Sequence, residues 1–289
     1  MAQAPNALSA KSERYLVGPV DKALTVLSYI AEARLPASLN SVARDLDLPK
    51  TTAFRYLCTL EAHGLVVRDS ASESYRLGLR MWQLGWLAAS ALPLRAIATP
   101  RMRELRDRFN ETVNLGGLEG AEVVYLDMAE SSHSLRMLAH VGARDPVHST
   151  ALGKAMVAHL PEDRWDAHLP EHLVARTNDT ITSISALREE LCLTRERGFA
   201  IDRGENEPDS LCIGAPIIGP DGEPLAAISV AAPRTRLTPD LEEEIASEVV
   251  RAARDISDQL ASVSGTGRDD SPNPHGSTLP ARGRHQHAE

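Results

Sequence analysis

Apolar residues recur at helical spacing from the first ordered-looking stretch of the chain. Val20, Ala23, Leu24, Leu27, Ile30 and Ala31 share one face and predict a helix over residues 20–33. Ser38 is placed to cap a second helix, "LNSVARDLD", whose apolar stripe is Leu39, Val42, Ala43 and Leu46. After a tight connection, Pro49 stands where proline favours the first turn of a third helix, and Gly64 is placed to end it. "LVVRDSASESYRLGL" then reads as two short strands, Leu65 to Arg68 and Tyr75 to Leu77, around a polar loop. Three helices followed by a β-hairpin predict a winged helix-turn-helix.

Beyond it the period changes. Arg80 to Ala91 and Leu94 to Phe109 read as helices, with Pro93 and Pro100 as punctuation. "TVNLGGL" and "EVVYLDMA" read as strands around Glu119-Gly120, and "LRMLAHV" as a further strand. "STALGKAMVAHL" predicts a capped helix running to His159, and "ALREELCLTRERG" a helix ending at Gly198 before the strand "FAID". "CIGAPII" and "PLAAISVAA" flank Gly219-Pro220-Asp221-Gly222, a hairpin signal. Thr238-Pro239 opens a last helix to about Leu260. The expectation is an α+β fold: an N-terminal winged helix-turn-helix, a linker helix, and a C-terminal α/β domain on an antiparallel sheet. From Ser262 the chain is rich in Gly, Ser, Pro and charge, the composition of a disordered tail, and His285 and His287 are read as solvent-exposed within it.

Composition adds three constraints. The 289 residues are 43% hydrophobic and 25% charged, enough for two cores in an ordinary globular protein. Cys58, Cys192 and Cys212 form no CxxC pair and leave an odd thiol, which suits a reducing cytoplasm. "MAQAPNALSAKSERY" has no secretory apolar run. "MWQLGWLAASALPL", bracketed by Arg80 and Arg95, is shorter than the roughly 20 residues of a spanning helix, so it reads as buried or interfacial. The net charge of −9 is unevenly spread: residues 1–80 hold 10 Lys/Arg against 8 Asp/Glu, a balance of +2, and the remainder is acidic. Charge therefore permits a nucleic-acid partner at the N-terminal end without requiring one.

On the third helix, Ala53, Leu57 and Leu60 share the packing face, while Thr51, Thr52, Arg55 and Thr59 fall opposite. Lys50 and the helix start lie at the end that a recognition helix inserts into the major groove. The chemistry suits DNA: Arg55 matches guanine O6 and N7, threonine hydroxyls reach phosphates or base edges, and open backbone amides favour a phosphate. Arg44 on the second helix, and Arg68 and Arg76 on the hairpin, are then phosphate contacts. Each of these positions also fits a plain solvated surface, so the constellation carries the reading.

These segments resemble the IclR family of bacterial transcriptional regulators. "VDKALTVLSYIAE", "SVARDLDLPKTTAFRYLCTLEAHGLV" and "YRLGLRMWQLG" match its N-terminal domain. "ETVNLGGLEGAEVVYLDMAES", "HSTALGKAMVAHLP", "DRGENEPDSLCIGAPIIGPDGEPLAAISV" and "TRLTPD" match its C-terminal domain. The resemblance spans residues 16–260 or so. It implies a flexible tail over 1–15, a winged helix-turn-helix over 16–80, a linker helix over 81–96, a GAF-like effector-binding domain over 97–261 and a tail over 262–289. It also implies a cytoplasmic homodimer or homotetramer on pseudo-palindromic operator DNA, a repressor before an activator. Control would come from a small organic-acid or aromatic metabolite, with no resident cofactor or metal. Carried over by motif position, the effector residues are Met137, Ala151, Leu152, Asp202, Ser210, Cys212, Ser229 and Ala231. The helix start near Thr150 offers amides to a carboxylate, and Ala151 and Ala231 leave room for a ligand. Asp202 repels an anionic effector unless it is protonated or a hydroxyl intervenes. Ala231 stands where other members place a serine or similar small polar group, which bears on the choice of effector.

Two rival functions are compatible with the residues. One is an enzyme with Cys212 as nucleophile, His140 or His148 as base and Asp202 as orienter. The other is an architectural DNA-binding protein without an effector. No histidines carry metal-ligand spacing; His168 and His172 lie in a proline-flanked acidic stretch.

Overall fold

The computed structural model describes residues 15–33, 36–90, 93–170 and 172–265. The expected tails, with His285 and His287, lie outside the described residues, apart from Tyr15 and residues 262–265. Those last four continue the final helix, which therefore runs past the expected end at Leu260.

The N-terminal unit opens with α1 (Gly18–Glu32), then β1 (Ala37–Ser38), α2 (Leu39–Asp45) and α3 (Lys50–Ala62). Ser38 caps α2 reciprocally: its Oγ accepts from Ser41 N at 3.1 Å, and Ser41 Oγ accepts from Ser38 N at 3.0 Å. Asp47 takes up the left-handed conformation (φ 50°) in the turn between α2 and α3, a conformation Asp tolerates better than most residues. Strands β2 (Val66–Asp69) and β3 (Ser74–Leu77) form the wing, and β1 pairs with β3 through Ala37 and Ser38. The sheet thus has three strands where the hairpin alone was expected. Val26, Ile30, Val42, Ala53, Leu57, Leu60, Val66 and Tyr75 make one core. Gly64 closes α3 with φ +71°, and Gly78 N donates to Leu65 O at 2.8 Å beneath it. A Cβ on Gly78 would stand 2.1 Å from Gly64 O, so only glycine allows the wing to return this close to the end of α3.

Helix α4 (Leu79–Ser90) leads to α5 (Leu94–Phe109), so Leu94–Ala96 of the expected linker already belong to α5. Pro100 lies within α5 without ending it. The C-terminal unit is a six-stranded sheet, with β4 (Thr112–Glu119), β5 (Glu122–Ala129), β6 (Arg144–Pro146), β7 (Ala200–Asp202), β8 (Ser210–Ile218) and β9 (Pro224–Pro233). Its order is β6-β5-β4-β9-β8-β7 and every pairing is antiparallel. α5 and α8 (Pro239–Gly265) cover one face; α6 (Ala151–His159) and α7 (Ile184–Arg197) cover the other. The two-residue period sorts the side chains: Val113, Leu115, Leu211, Ile213, Ile228 and Val230 enter the core under α5 and α8. Asn114, Cys212, Ser229 and Ala231 consequently face the α6 side.

The segment "LRMLAHV" is not a strand. Two of its carbonyls go to side chains instead, Met137 O accepting from Thr112 Oγ1 at 2.8 Å and Leu135 O from Arg236 Nη1 at 2.9 Å, and His140 O accepts locally from Ala143 N at 2.8 Å. The place beside β5 is taken by β6, where Arg144–Pro146 pairs with Glu122–Val124. No helix among the described residues is long and apolar enough to cross a membrane.

Candidate functional site

The polar face of α3 stands clear of the core. Lys50, Thr51 and Arg55 are exposed, Thr52 is half-buried, and no side chain caps the helix start. The first amides of α3 therefore remain open to an anion. Phe54 adds an aromatic to the exposed surface of this helix, 43% exposed. Its place beside Arg55 in the chain was the available signal. Thr59 Oγ1 turns back to Arg55 O at 2.8 Å, so its hydroxyl proton is occupied.

The flanking arginines divide into two kinds. Arg44 chelates Asp45 through Nε (2.7 Å) and Nη2 (3.3 Å), and Arg68 Nη2 meets Glu73 Oε1 at 2.6 Å. A phosphate would compete with those carboxylates. Lys50, Arg55 and Arg76 have no ion-pair partner among the described residues.

All eight of the expected effector positions border a single cavity of about 220 Å³ in the C-terminal unit: Met137, Ala151, Leu152, Asp202, Ser210, Cys212, Ser229 and Ala231. Strand register explains the convergence. Asn114 pairs with Ser229, Cys212 with Ala231, and Asp202 with Cys212, all on the α6 side of the sheet. Gly214 opposes Ser229, and a Cβ there would approach Ala151 C and O to 3.2 Å, so the missing side chain lets α6 start close against the sheet. Thr150 caps α6, its Oγ1 accepting from Gly153 N at 3.2 Å and donating to Pro146 O at 2.9 Å. Ala151 and Leu152, whose first-turn amides have no intrahelical acceptor, border the cavity.

Further wall comes from residues outside the expected effector set. Tyr125 and Asp145 line it, joined by Tyr125 Oη donating to Asp145 Oδ2 at 3.1 Å, and so do Asn114, His140, Asn206 and Glu207. For Asn114 the alternation of "TVNLGGL" was the available signal; Asn206 and Glu207 lie inside the motif that carries Asp202. Below the cavity, Lys154 is 0% exposed and donates to Glu205 Oε1 (2.5 Å) and Ile201 O (2.6 Å). Asp202 Oδ1 accepts from Glu205 N at 2.6 Å and Asn206 N at 3.4 Å, fixing the loop of residues 203–209 to the end of β7.

Burial pushes the Asp202 carboxyl up to about 7, with Glu205 adding to the rise and backbone donors and Lys154 opposing it. Burial also raises the Cys212 thiol well above its ordinary value, and Asp202, Glu207 and Asp145 raise it further. A thiol held protonated is a poor nucleophile. His148 does not border the cavity; its Nε2 donates to Val174 O at 3.1 Å, and burial lowers its pKa. The catalytic set built on Cys212 therefore lacks both a thiolate and that base. Among the described residues no three His, Cys, Asp or Glu are grouped to hold a metal ion. A wider groove of about 890 Å³ runs along α8 past Phe199 and Ile201, and none of the expected site residues lines it.

Two family models match the chain: the bacterial transcriptional regulator IclR C-terminal domain over residues 87–258 and the IclR helix-turn-helix domain over residues 19–70. The chain is 32% identical to the HTH-type transcriptional regulator KdgR of Dickeya chrysanthemi, covering 84% of this chain and 80% of that protein. It is 31% identical to the transcriptional repressor IclR of Escherichia coli K12, covering 83% and 89%. Among solved structures, an IclR homolog from Microbacterium hydrocarbonoxydans complexed with 4-hydroxybenzoate superposes with a TM-score of 0.74. It is 28% identical and covers 84% of this chain and 99% of that one.

Proposed function

Because the chain belongs to the IclR family of bacterial transcriptional regulators, we propose that it represses a metabolic operon under the control of a small organic-acid or aromatic metabolite held beside α6. It is a DNA-binding regulator, not an enzyme, as its relatives are. The observation that carries the effector reading is the convergence of the eight positions on one cavity roofed by the first turn of α6. The homolog solved with 4-hydroxybenzoate supports it, as does the name of the Escherichia coli repressor for the direction of control.

On the DNA side, Lys50, Thr51, Thr52 and Arg55 read or grip the major groove, and Arg44, Arg68 and Arg76 hold phosphates. A pseudo-palindromic operator requires two such heads. The exposed apolar residues of α1 and α4, Val20 and Leu24 with Leu79 (80% exposed) and Leu87, support a homodimer formed there, with a homotetramer as the larger assembly. Effector binding then shifts the relative placement of the two heads and their fit to half-sites about one helical turn apart, or a multiple of it. Three free cysteines are compatible with a cytoplasmic site of action.

Footprinting of DNA upstream of the neighbouring genes tests this reading. The expected result is a two-fold-symmetric protected site whose occupancy changes when a cavity ligand is added. Protection unaffected by every compound that binds the cavity contradicts effector control.

A further inference from the structure

The cavity beside α6 opens between two stretches of chain. Its solvent-exposed lining residues are Leu138 and His140, in the segment leading to β6, and Glu207, in the loop after β7. Whatever passes from solvent to Cys212 therefore passes between residues 137–145 and residues 203–209. Residues 172–182, which contain no helix or strand, hold that loop from outside. Thr177 Oγ1 donates to Gly204 O at 2.6 Å and Thr180 Oγ1 to Glu205 O at 2.7 Å. Thr180 Oγ1 also accepts from Arg176 N at 3.0 Å and Thr177 N at 2.9 Å, which fixes the turn that carries both threonines. None of residues 172–182 lines the cavity.

Arg176 goes further, because its guanidinium reaches both sides of the opening. Its Nε donates to Asn206 O at 3.2 Å, and its Nη2 forms an ion pair with Asp145 Oδ1 at 3.3 Å. Asp145 belongs to β6 and Asn206 to the loop, and both line the cavity. A second tie joins the same two sides, Ser149 Oγ donating to Asn206 Oδ1 at 2.9 Å, but Ser149 is 0% exposed. That bond cannot be exchanged for one to water without opening the core. The Arg176 side chain is 37% exposed, so water takes over its charge when it lets go, at the small cost of an exposed pair.

Resting on the reading of this cavity as the effector site, we propose that Arg176 latches its mouth: a positioning residue outside the cavity that sets how fast small molecules enter and leave. Released, the guanidinium turns to solvent and frees Asp145 from Asn206. Residues 137–145 and 203–209 then part, while Thr177 and Thr180 keep the base of the loop in place.

Cys212, on the cavity wall, reports access without any effector, so the latch can fail while the effector reading stands. In the full chain carrying Cys58→Ala and Cys192→Ser, labelling of Cys212 by methyl methanethiosulfonate is followed by mass spectrometry at one fixed pH, with and without low urea. Arg176→Gln should label about three- to tenfold faster than this parent. Arg176→Lys keeps the charge but loses the two-armed reach, and should fall between them. Arg188→Gln breaks an exposed pair with Asp166, neither of which lines the cavity, and should label like the parent. The rates should stay nearly flat in urea below the unfolding transition, because opening a latch exposes little surface. Equal rates for Arg176→Gln and the parent overturn the inference, as does a parent that labels as fast as the urea-unfolded chain. An acceleration that climbs with urea as steeply as global unfolding also overturns it, since Arg176 would then act on stability alone.

Discussion

Replacing Asp202 by Asn should flatten the pH dependence of stability. The folded protein keeps this carboxyl 2% exposed, with its pKa pushed up to about 7 from the ordinary 3.8, chiefly by burial. Below both values the folded and unfolded chains are equally protonated at this site, so it carries no penalty. As pH rises above the lower value, the unfolded chain loses a proton that the folded chain still holds, and folding becomes progressively less favourable. The loss levels off as pH passes about 7, above which both states are ionised and the penalty stays constant. Each tenfold difference in proton affinity between the two states is worth about 1.4 kcal/mol, so the penalty grows by roughly 2–3 kcal/mol between about pH 5 and pH 8. The asparagine of the variant retains an acceptor for Glu205 N yet cannot ionise, so the variant escapes this penalty. Urea denaturation at about pH 5, 6, 7 and 8, at one fixed protein concentration because assembly contributes to stability, should show the variant gaining on the wild type as pH rises. A stability difference that stays constant across that range refutes the reasoning.

Three further outcomes are expected. Lys154→Met removes the buried cation from Glu205 and should lower stability by about 3–5 kcal/mol in urea melts, with much of the loss recovered in the double variant with Glu205→Gln. Leu57→Ala, at a position wholly buried between α3 and its neighbours, should cost about 2–5 kcal/mol and unfold the N-terminal unit first, read by amide hydrogen exchange. Gly78→Ala places a Cβ against Gly64 O and should cost about 1–3 kcal/mol or more, with specific DNA binding weakened because the wing shifts from the end of α3.

Much of this architecture is written in spacing that a reader of the chain can see. The faces formed by Leu27 and Ile30, Val42 and Leu46, and Leu57 and Leu60 mark the three helices, and Ser38 and Gly64 mark their ends. β1 is invisible because it has only two residues, one of which is also the cap of α2. "LRMLAHV" has the composition of a strand, but its partner edge is filled by the short and polar β6, whose three residues show no pattern. The eight effector positions were reachable only through the family motifs, since nothing local brings Met137, Asp202 and Ser229 together. Tyr125, Asp145 and Asn206 join them through tertiary packing of β5, β6 and the loop after β7. Lys154 is the clearest hidden feature: a lysine within an apolar helix run, whose burial depends on Glu205 from a distant loop.

The central claim is that α3 reads a specific operator. Fluorescence anisotropy on a site selected from random DNA by the purified protein, with a scrambled duplex at the same salt, tests it most directly. The wild type should prefer the selected site by about 10³-fold or more. Arg55→Ala should lose roughly 1–3 kcal/mol on that site and little on the scrambled one. Equal affinity for both duplexes, or an Arg55→Ala protein indistinguishable from wild type on the selected site, would contradict it.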